Sequence, residues 1–137
     1  MFSHIMIPVD IHLPPEIRKA LDVAAAMAKW QKARITIVSV TGTQPGDVTQ
    51  SGPAINAELQ TIVDQLAEQS GADVDARNIH SVDVAAEVDA DLTRAAEEIG
   101  ADLIVVGTHA PRITDHIFSS HAGYLAKHAK VSVFVVR

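Results

Sequence analysis

The sequence predicts a doubly wound α/β fold, a five-stranded parallel sheet in the order 3-2-1-4-5 with helices on both faces. Three observations lead there. Short aliphatic and β-branched runs alternate with segments of helical periodicity along the whole chain, the pattern of a parallel sheet joined by helical crossovers. Two of these runs, Leu103-Ile104-Val105-Val106 and Val131-Ser132-Val133-Phe134-Val135-Val136, are almost continuously apolar, as strands covered on both faces are. The first ends in Gly107 and is followed by Thr108-His109-Ala110-Pro111, then Ser119-Ser120 and a helical segment. Crossovers are nearly always right-handed, so helices on opposite faces require the strand order to reverse, here between the first and fourth strands. At such a reversal the strand ends part. A glycine and a hydroxyl-rich helix start beside that crevice are where an open parallel sheet holds a phosphate-bearing ligand.

Each element has its own signal. Ile5-Met6-Ile7-Pro8-Val9 reads as the first strand, with Pro8 near its end, where a missing N–H does least damage, and Asp10 just beyond. Pro14-Pro15-Glu16 suits a helix entrance, because proline fits the first turn and an acid favours the positive end of the helix dipole. Ile17, Leu21, Ala24 and Ala28 then recur at helical spacing up to Trp30. Arg34-Ile35-Thr36-Ile37-Val38-Ser39-Val40 is a β-branched strand, and residues 41–53, rich in Gly, Thr, Gln and Pro, read as a loop. Ile55, Leu59, Ile62 and Leu66 mark the second helix, closed by Gly71. Residues 74–80 set Asp75, Arg77 and His80 against Val74, Ala76 and Ile79, an alternation expected of an exposed edge strand. Val88, Leu92, Ala95 and Ile99 mark a third helix ended by Gly100, and a fourth is expected around residues 122–128.

Composition narrows the function classes. At 137 residues, 47% apolar and 20% charged, the chain reads as one soluble domain spanning 1–137. A net charge of −6 argues against sequence-independent nucleic-acid binding, which needs a basic face to neutralise phosphates. With no cysteine there is neither a disulfide, nor a thiolate metal site, nor a cysteine nucleophile. The chain runs from Met1-Phe2-Ser3-His4 straight into a strand pattern, without a secretory leader, and no run is long enough to span a bilayer. The expected compartment is the cytoplasm, with no membrane insertion.

Four segments together resemble the universal stress protein family, along essentially the whole chain. They are the opening Ile5-Met6-Ile7-Pro8-Val9-Asp10, the strand ending at Val40, the stretch Gly100-Ala101-Asp102-Leu103-Ile104-Val105-Val106-Gly107-Thr108-His109, and Leu125-Ala126-Lys127-His128-Ala129 leading into the last strand. The resemblance implies a Rossmann-like fold of the adenine nucleotide alpha-hydrolase type and, in many members, bound ATP or AMP, with Mg²⁺ through its phosphates. The ends of the first two strands then touch adenine through main-chain groups, which maps onto Pro8, Val9, Asp10 and Val40. Ribose and phosphates lie over a Gly-x-x-Gly turn followed, after a loop, by a Gly-Ser/Thr pair. Val106 and Gly107 open that turn, His109 lies within it and Ala110 stands at its second glycine. Ser119 and Ser120 stand at the Gly-Ser position, with His121 beside them. The resemblance also implies a homodimer.

The residues carry alternatives of their own. Ser119 or Ser120 would also serve as an ordinary helix N-cap, Asp10 as a turn cap, and Arg112 as a solvated loop cation. His109, His116 and His121 cluster in the same region, but their spacing matches no recognised metal pattern. His128 suits the negative end of the last helix. The apolar run 131–136 falls at a sheet edge, which invites antiparallel pairing with a second copy. No Gly-Lys-Ser/Thr phosphate loop, Gly-x-Ser-x-Gly elbow or Gly-x-Gly-x-x-Gly turn is present, so the chain reads as a binding protein and not an enzyme. A phosphoacceptor receiver domain shares this architecture, but it needs an acid cluster at the ends of strands one and three; here strand one supplies Asp10 alone. Two readings follow: a dimeric, nucleotide-binding regulatory protein of the stress response with an unknown protein partner, or a relative that has lost nucleotide and acts purely through protein contacts.

Overall fold

Strand and helix alternate as their side-chain periods demand. In order they are β1 (His4–Pro8), α1 (Pro15–Gln31), β2 (Arg34–Gly42), α2 (Gly52–Ser70), β3 (Val74–Ser81), α3 (Val84–Ile99), β4 (Leu103–Gly107), α4 (His121–His128) and β5 (Ser132–Val136). The computed structural model describes residues 1–10, 15–42, 52–108 and 121–137. The strands form one sheet in the order β3-β2-β1-β4-β5, every ladder parallel.

The two-residue period of the strands builds a core on each face of the sheet. Ile5, Ile7, Ile35, Ile37, Leu103 and Val105 pack with the buried stripes of α1 and α2, including Leu21, Ala24, Ala28, Leu59, Ile62 and Leu66. Met6, Val38, Ile104 and Val106 point the other way, onto Leu92, Ala95 and Ala96 of α3 and Ala122 and Leu125 of α4. The centre of the sheet is thus covered on both sides, and β1 is buried along its whole length.

Helix ends follow the expected chemistry with one departure. Gly71 and Gly100 adopt φ of 69° and 70°, the left-handed conformation that glycine takes without a Cβ penalty. The N–H groups of Gly100 and Ala101 return to the carbonyls of Glu97 and Ala96, and the Asp83 carboxylate caps the start of α3 by accepting from the N–H of Ala86. At the end of α1 the same left-handed turn falls on Lys32, with φ of 58°, where no glycine signals it.

Some boundaries and one face differ from expectation. β2 continues to Gly42 and α2 begins at Gly52, so both take residues from the expected loop 41–53. β5 begins at Ser132 and α4 at His121. Val74 and Ile79 were expected on one face of β3; instead Val74 packs on the α1/α2 core and Ile79 on the α3/α4 core. An unbroken strand puts residues five apart on opposite faces, and Ala76, expected to face inward, is exposed.

The middle of the sheet is joined most sparingly. β1 pairs with β2 from His4↔Arg34 to Pro8↔Val38, and β4 pairs with β5 from Leu103↔Ser132 to Gly107↔Val136. Between β1 and β4 the register holds only Ile5↔Leu103 and Met6↔Ile104. Asp102 reinforces this short seam from below. Its N–H donates to the His4 carbonyl at 3.0 Å, while its carboxylate accepts the Ser3 N–H (2.8 Å), the Ser3 hydroxyl (2.8 Å) and the His4 N–H (3.0 Å). Burial pushes the Asp102 carboxyl upward, but the donors from Ser3 and His4 outweigh it and hold it below its ordinary value of 3.8.

A carboxyl held low contributes stability that is present above its ordinary value and is lost as pH falls through the lowered one. Asp102→Asn is therefore expected to cost about 1.5–3 kcal/mol in urea denaturation at pH 7, the scale of hydrogen bonds to a charged group. The gap to the wild type should close in strongly acidic solution, where the wild-type carboxylate is also lost.

Candidate functional site

Above Met6 and Ile104 the two central strands separate. The N–H of Val9 bonds the Val38 carbonyl at 2.9 Å and keeps the end of β1 on β2; the N–H of Thr108 bonds the Val136 carbonyl at 2.8 Å and keeps the end of β4 on β5. The sheet therefore splits toward its carboxyl edge between β1 and β4, the reversal point that the strand order requires.

β2 forms one wall of this opening. Its partner on β1 ends at Pro8↔Val38, yet β2 stays paired with β3 as far as Gly42↔Ser81. The last turns of β2 thus overhang the end of β1, with their β1-facing main-chain edge standing over the crevice. Side chains fix the overhang: the buried Ser39 hydroxyl donates to Asn78 Oδ1 at 2.8 Å, and Asn78 Nδ2 donates to Thr41 Oγ1 at 3.2 Å. Val40 lies within this segment, half-buried against the α3/α4 core.

The residues singled out from sequence take the following places. Pro8 ends β1 and Val9 follows it, both buried; Asp10 is next and exposed. Val106 is buried and Gly107, half-buried, ends β4. His121 is the first residue of α4 and is exposed; Ala122 and Leu125 seat that helix in the core. His109, Ala110, Arg112, His116, Ser119 and Ser120 lie outside the described residues. Pro8, Val9, Asp10, Val40, Val106 and Gly107 thus come together at the carboxyl ends of three adjacent strands.

One pairing near this end escaped the sequence. His121 Nδ1 lies 2.6 Å from Asp89 Oδ1, joining the start of α4 to α3. The two residues are 32 positions apart on different helices, so no spacing rule within an element points to the pair. It also selects a tautomer: with Nδ1 engaged by a carboxylate, neutral His121 carries its proton there and leaves Nε2 as an acceptor. At the other end of α4, the rings of Tyr124 and His128 stack at 4.3 Å, so His128 packs within its own helix.

β5 forms the sheet edge beside β4. Among the described residues β5 has a neighbour on one side only, and Phe134 and Val135 are 45% and 37% exposed, on opposite faces of the strand. The flanking helices therefore leave both faces of this edge partly uncovered.

The sequence profile of the Universal stress protein family matches residues 1–137. Universal stress protein G of Shigella flexneri is 40% identical over 47 residues, 34% of this chain and 33% of that protein, so this alignment spans about a third of the relative's length. Universal stress protein G of Salmonella typhimurium aligns along the full length of both chains at 27% identity. Among solved structures, a universal stress protein in complex with cAMP shares the fold with a TM-score of 0.75 at 21% identity, over 99% of this chain and 97% of that one. The universal stress protein of Archaeoglobus fulgidus in complex with dAMP gives 0.70 at 20% identity, over 98% of each.

Proposed function

The chain belongs to the universal stress protein family, and on that footing we propose that it is a cytoplasmic stress-response regulator that binds an adenine nucleotide and acts through protein contacts as a homodimer. In this reading residues 1–137 are a single universal-stress-protein domain without a catalytic step. The observation that carries it is the split between β1 and β4, with the β2 overhang above it. The split would offer main-chain groups of Val9, Asp10 and Val40 to a base, and Gly107 and the start of α4 to ribose and phosphates. Similar structures hold cAMP and dAMP, so an adenine nucleotide is the ligand class that the crevice would take. ATP or AMP fits the donor set, since helix-start N–H groups grip phosphate whatever the side chain. Mg²⁺ would enter with the phosphates, and Asp10 is the acid nearest the mouth by strand position.

The second reading, a relative that acts purely through protein contacts, draws on Ala110 and Ser119, which stand where the family pattern has glycine. A non-glycine residue forced into a left-handed conformation costs about 1–2 kcal/mol. Two such sites would weaken binding by about 30- to 1,000-fold.

The nucleotide is tested by denaturing the purified protein, identifying any released small molecule, and titrating the refolded protein calorimetrically with millimolar ATP–Mg²⁺. The expected result is an adenine nucleotide released, or heat on titration; neither would favour the second reading. In the Ala110→Gly/Ser119→Gly double variant, tighter ATP binding identifies a weakened site on the same path.

The homodimer would form through the β5 edge, the run 131–136, where an exposed parallel-sheet edge pairs with its own copy across a two-fold axis. Phe134→Lys would place like charges across that axis. Sedimentation should then show a dimer for the wild type and a monomer for the variant, with unchanged circular dichroism.

A further inference from the structure

Helix α1 carries a second apolar stripe besides the one it buries. Leu21, Ala24 and Ala28 seat it in the core. On its outward flank Val23, Ala26, Met27 and Trp30 recur at i, i+3, i+4 and i+7, the spacing of one helix face, and no charged residue interrupts them. Val23 and Met27 are half-buried against the margin of the core, and Ala26 is exposed. Trp30, the only tryptophan of the chain, is 80% exposed. Asp22 shows which flank this is. Its carboxylate accepts from Gln69 Nε2 of α2 at 3.0 Å, so the apolar stripe turns away from α2 and towards β5.

β5 meets the helix on that flank. Phe134 pairs in register with Val105, a member of the α1/α2 core, so its half-exposed ring rises on the α1 side of the sheet. The Lys19 ammonium donates to the Arg137 carbonyl and fixes the height of the helix against the strand. From there α1 runs against the strand direction, at about 1.5 Å per residue against about 3.3 Å in β5. Phe134, about 10 Å down the strand, is therefore level with residues 23–27 of the helix. Trp30, about 16 Å down the helix, is level with the start of β5. The stripe and Phe134 thus run side by side along the same sheet edge.

On the footing of the proposed homodimer, the geometry points to this surface as the second half of the dimer contact, with Trp30 and Phe134 closing over β5 of the second copy. Antiparallel edge pairing places the two-fold axis normal to the sheet, so both α1 helices lie on the same side. Helices standing over β4 and its copy are three strand spacings apart, about 14 Å, beyond the 8–10 Å of helices in direct contact. Between them runs a trough floored by the two β5 strands, and large side chains are needed to fill it. Phe134 and Trp30 are the large exposed apolar groups at its border. Edge pairing alone is too small an interface. β5 has five residues, an edge of about 17 Å, whereas a stable interface buries about 800 Å² on each partner. Aromatic side chains supply what the edge lacks, since each buries about 150–250 Å².

The single tryptophan reports on this contact directly. The full chain is diluted from high micromolar to low nanomolar concentration, with Trp30 emission and acrylamide quenching read beside sedimentation. Emission should shift to the red and quenching should rise over the same range in which sedimentation shows the dimer dissociating. Trp30→Ala should weaken the dimer about tenfold or more, the effect of losing a tryptophan anchor at an interface. Its circular dichroism should not change, because Trp30 lies outside the core. A dimer whose Trp30 emission stays constant on dilution, or which Trp30→Ala leaves at full strength, overturns the inference while edge pairing through β5 stands. A wild type that is monomeric throughout overturns the homodimer and this surface together. The dilution is read on the wild-type protein, so it decides the matter whatever Trp30→Ala does.

Discussion

The short seam between β1 and β4 is the constraint from which the other features follow. Two central strands must lie side by side for the core to close on both faces, yet they must part for a crevice to exist. The chain reconciles the two by pairing only Ile5↔Leu103 and Met6↔Ile104 and by gathering Ser3 and His4 onto Asp102 at the amino end. Below the split, Ile5, Leu103, Met6 and Ile104 are the centre of the two apolar layers. Above it, each strand stays paired with its outer neighbour, β1 with β2 to Pro8↔Val38 and β4 with β5 to Gly107↔Val136, and each pairing is extended by one further main-chain hydrogen bond. The stabilising seam and the proposed binding site therefore occupy opposite ends of the same two strands.

That division gives each end a different chemistry. At the carboxyl end the parted strand ends and the start of α4 lie together, the arrangement on which the proposed nucleotide site rests. At the amino end, Asp102 and His4 gather hydrogen bonds from β1 and β2, and the polar groups meet one another. Thr36 and Asp75 tie β2 to β3 at this end, and Asn78 of β3 in turn braces the β2 overhang.

Much of this was legible in the residues because periodicity and chain direction dictate it. The helical spacing of Leu59, Ile62 and Leu66 and the apolar runs of β1 and β4 placed the core, and right-handed crossovers forced the strand order. Gly71 and Gly100 announced their helix ends, while Lys32 takes the same conformation with no compositional cue. The reading of β3 went astray where Ile79 was set with Val74; an odd separation puts them on opposite faces. Pairings between elements stayed hidden: Asp89 with His121, Asp102 with Ser3, and Thr36 between His4 and Asp75 are close only after folding. Of the candidate site, Pro8, Val9, Asp10, Val40, Val106 and Gly107 lie at neighbouring strand ends, while His109, Ala110, Ser119 and Ser120 lie outside the described residues.

The claim that a nucleotide occupies the parting of β1 and β4 is tested most directly by following backbone amide shifts of the ¹⁵N-labelled protein as ATP is added. The account predicts changes concentrated at Val9, Asp10, Val40, Gly107 and His121, with Ser3, His4 and Asp102 at the far end of the same strands undisturbed. Saturating ATP that moves no amide, or that moves chiefly those of α2 and β3, would contradict it.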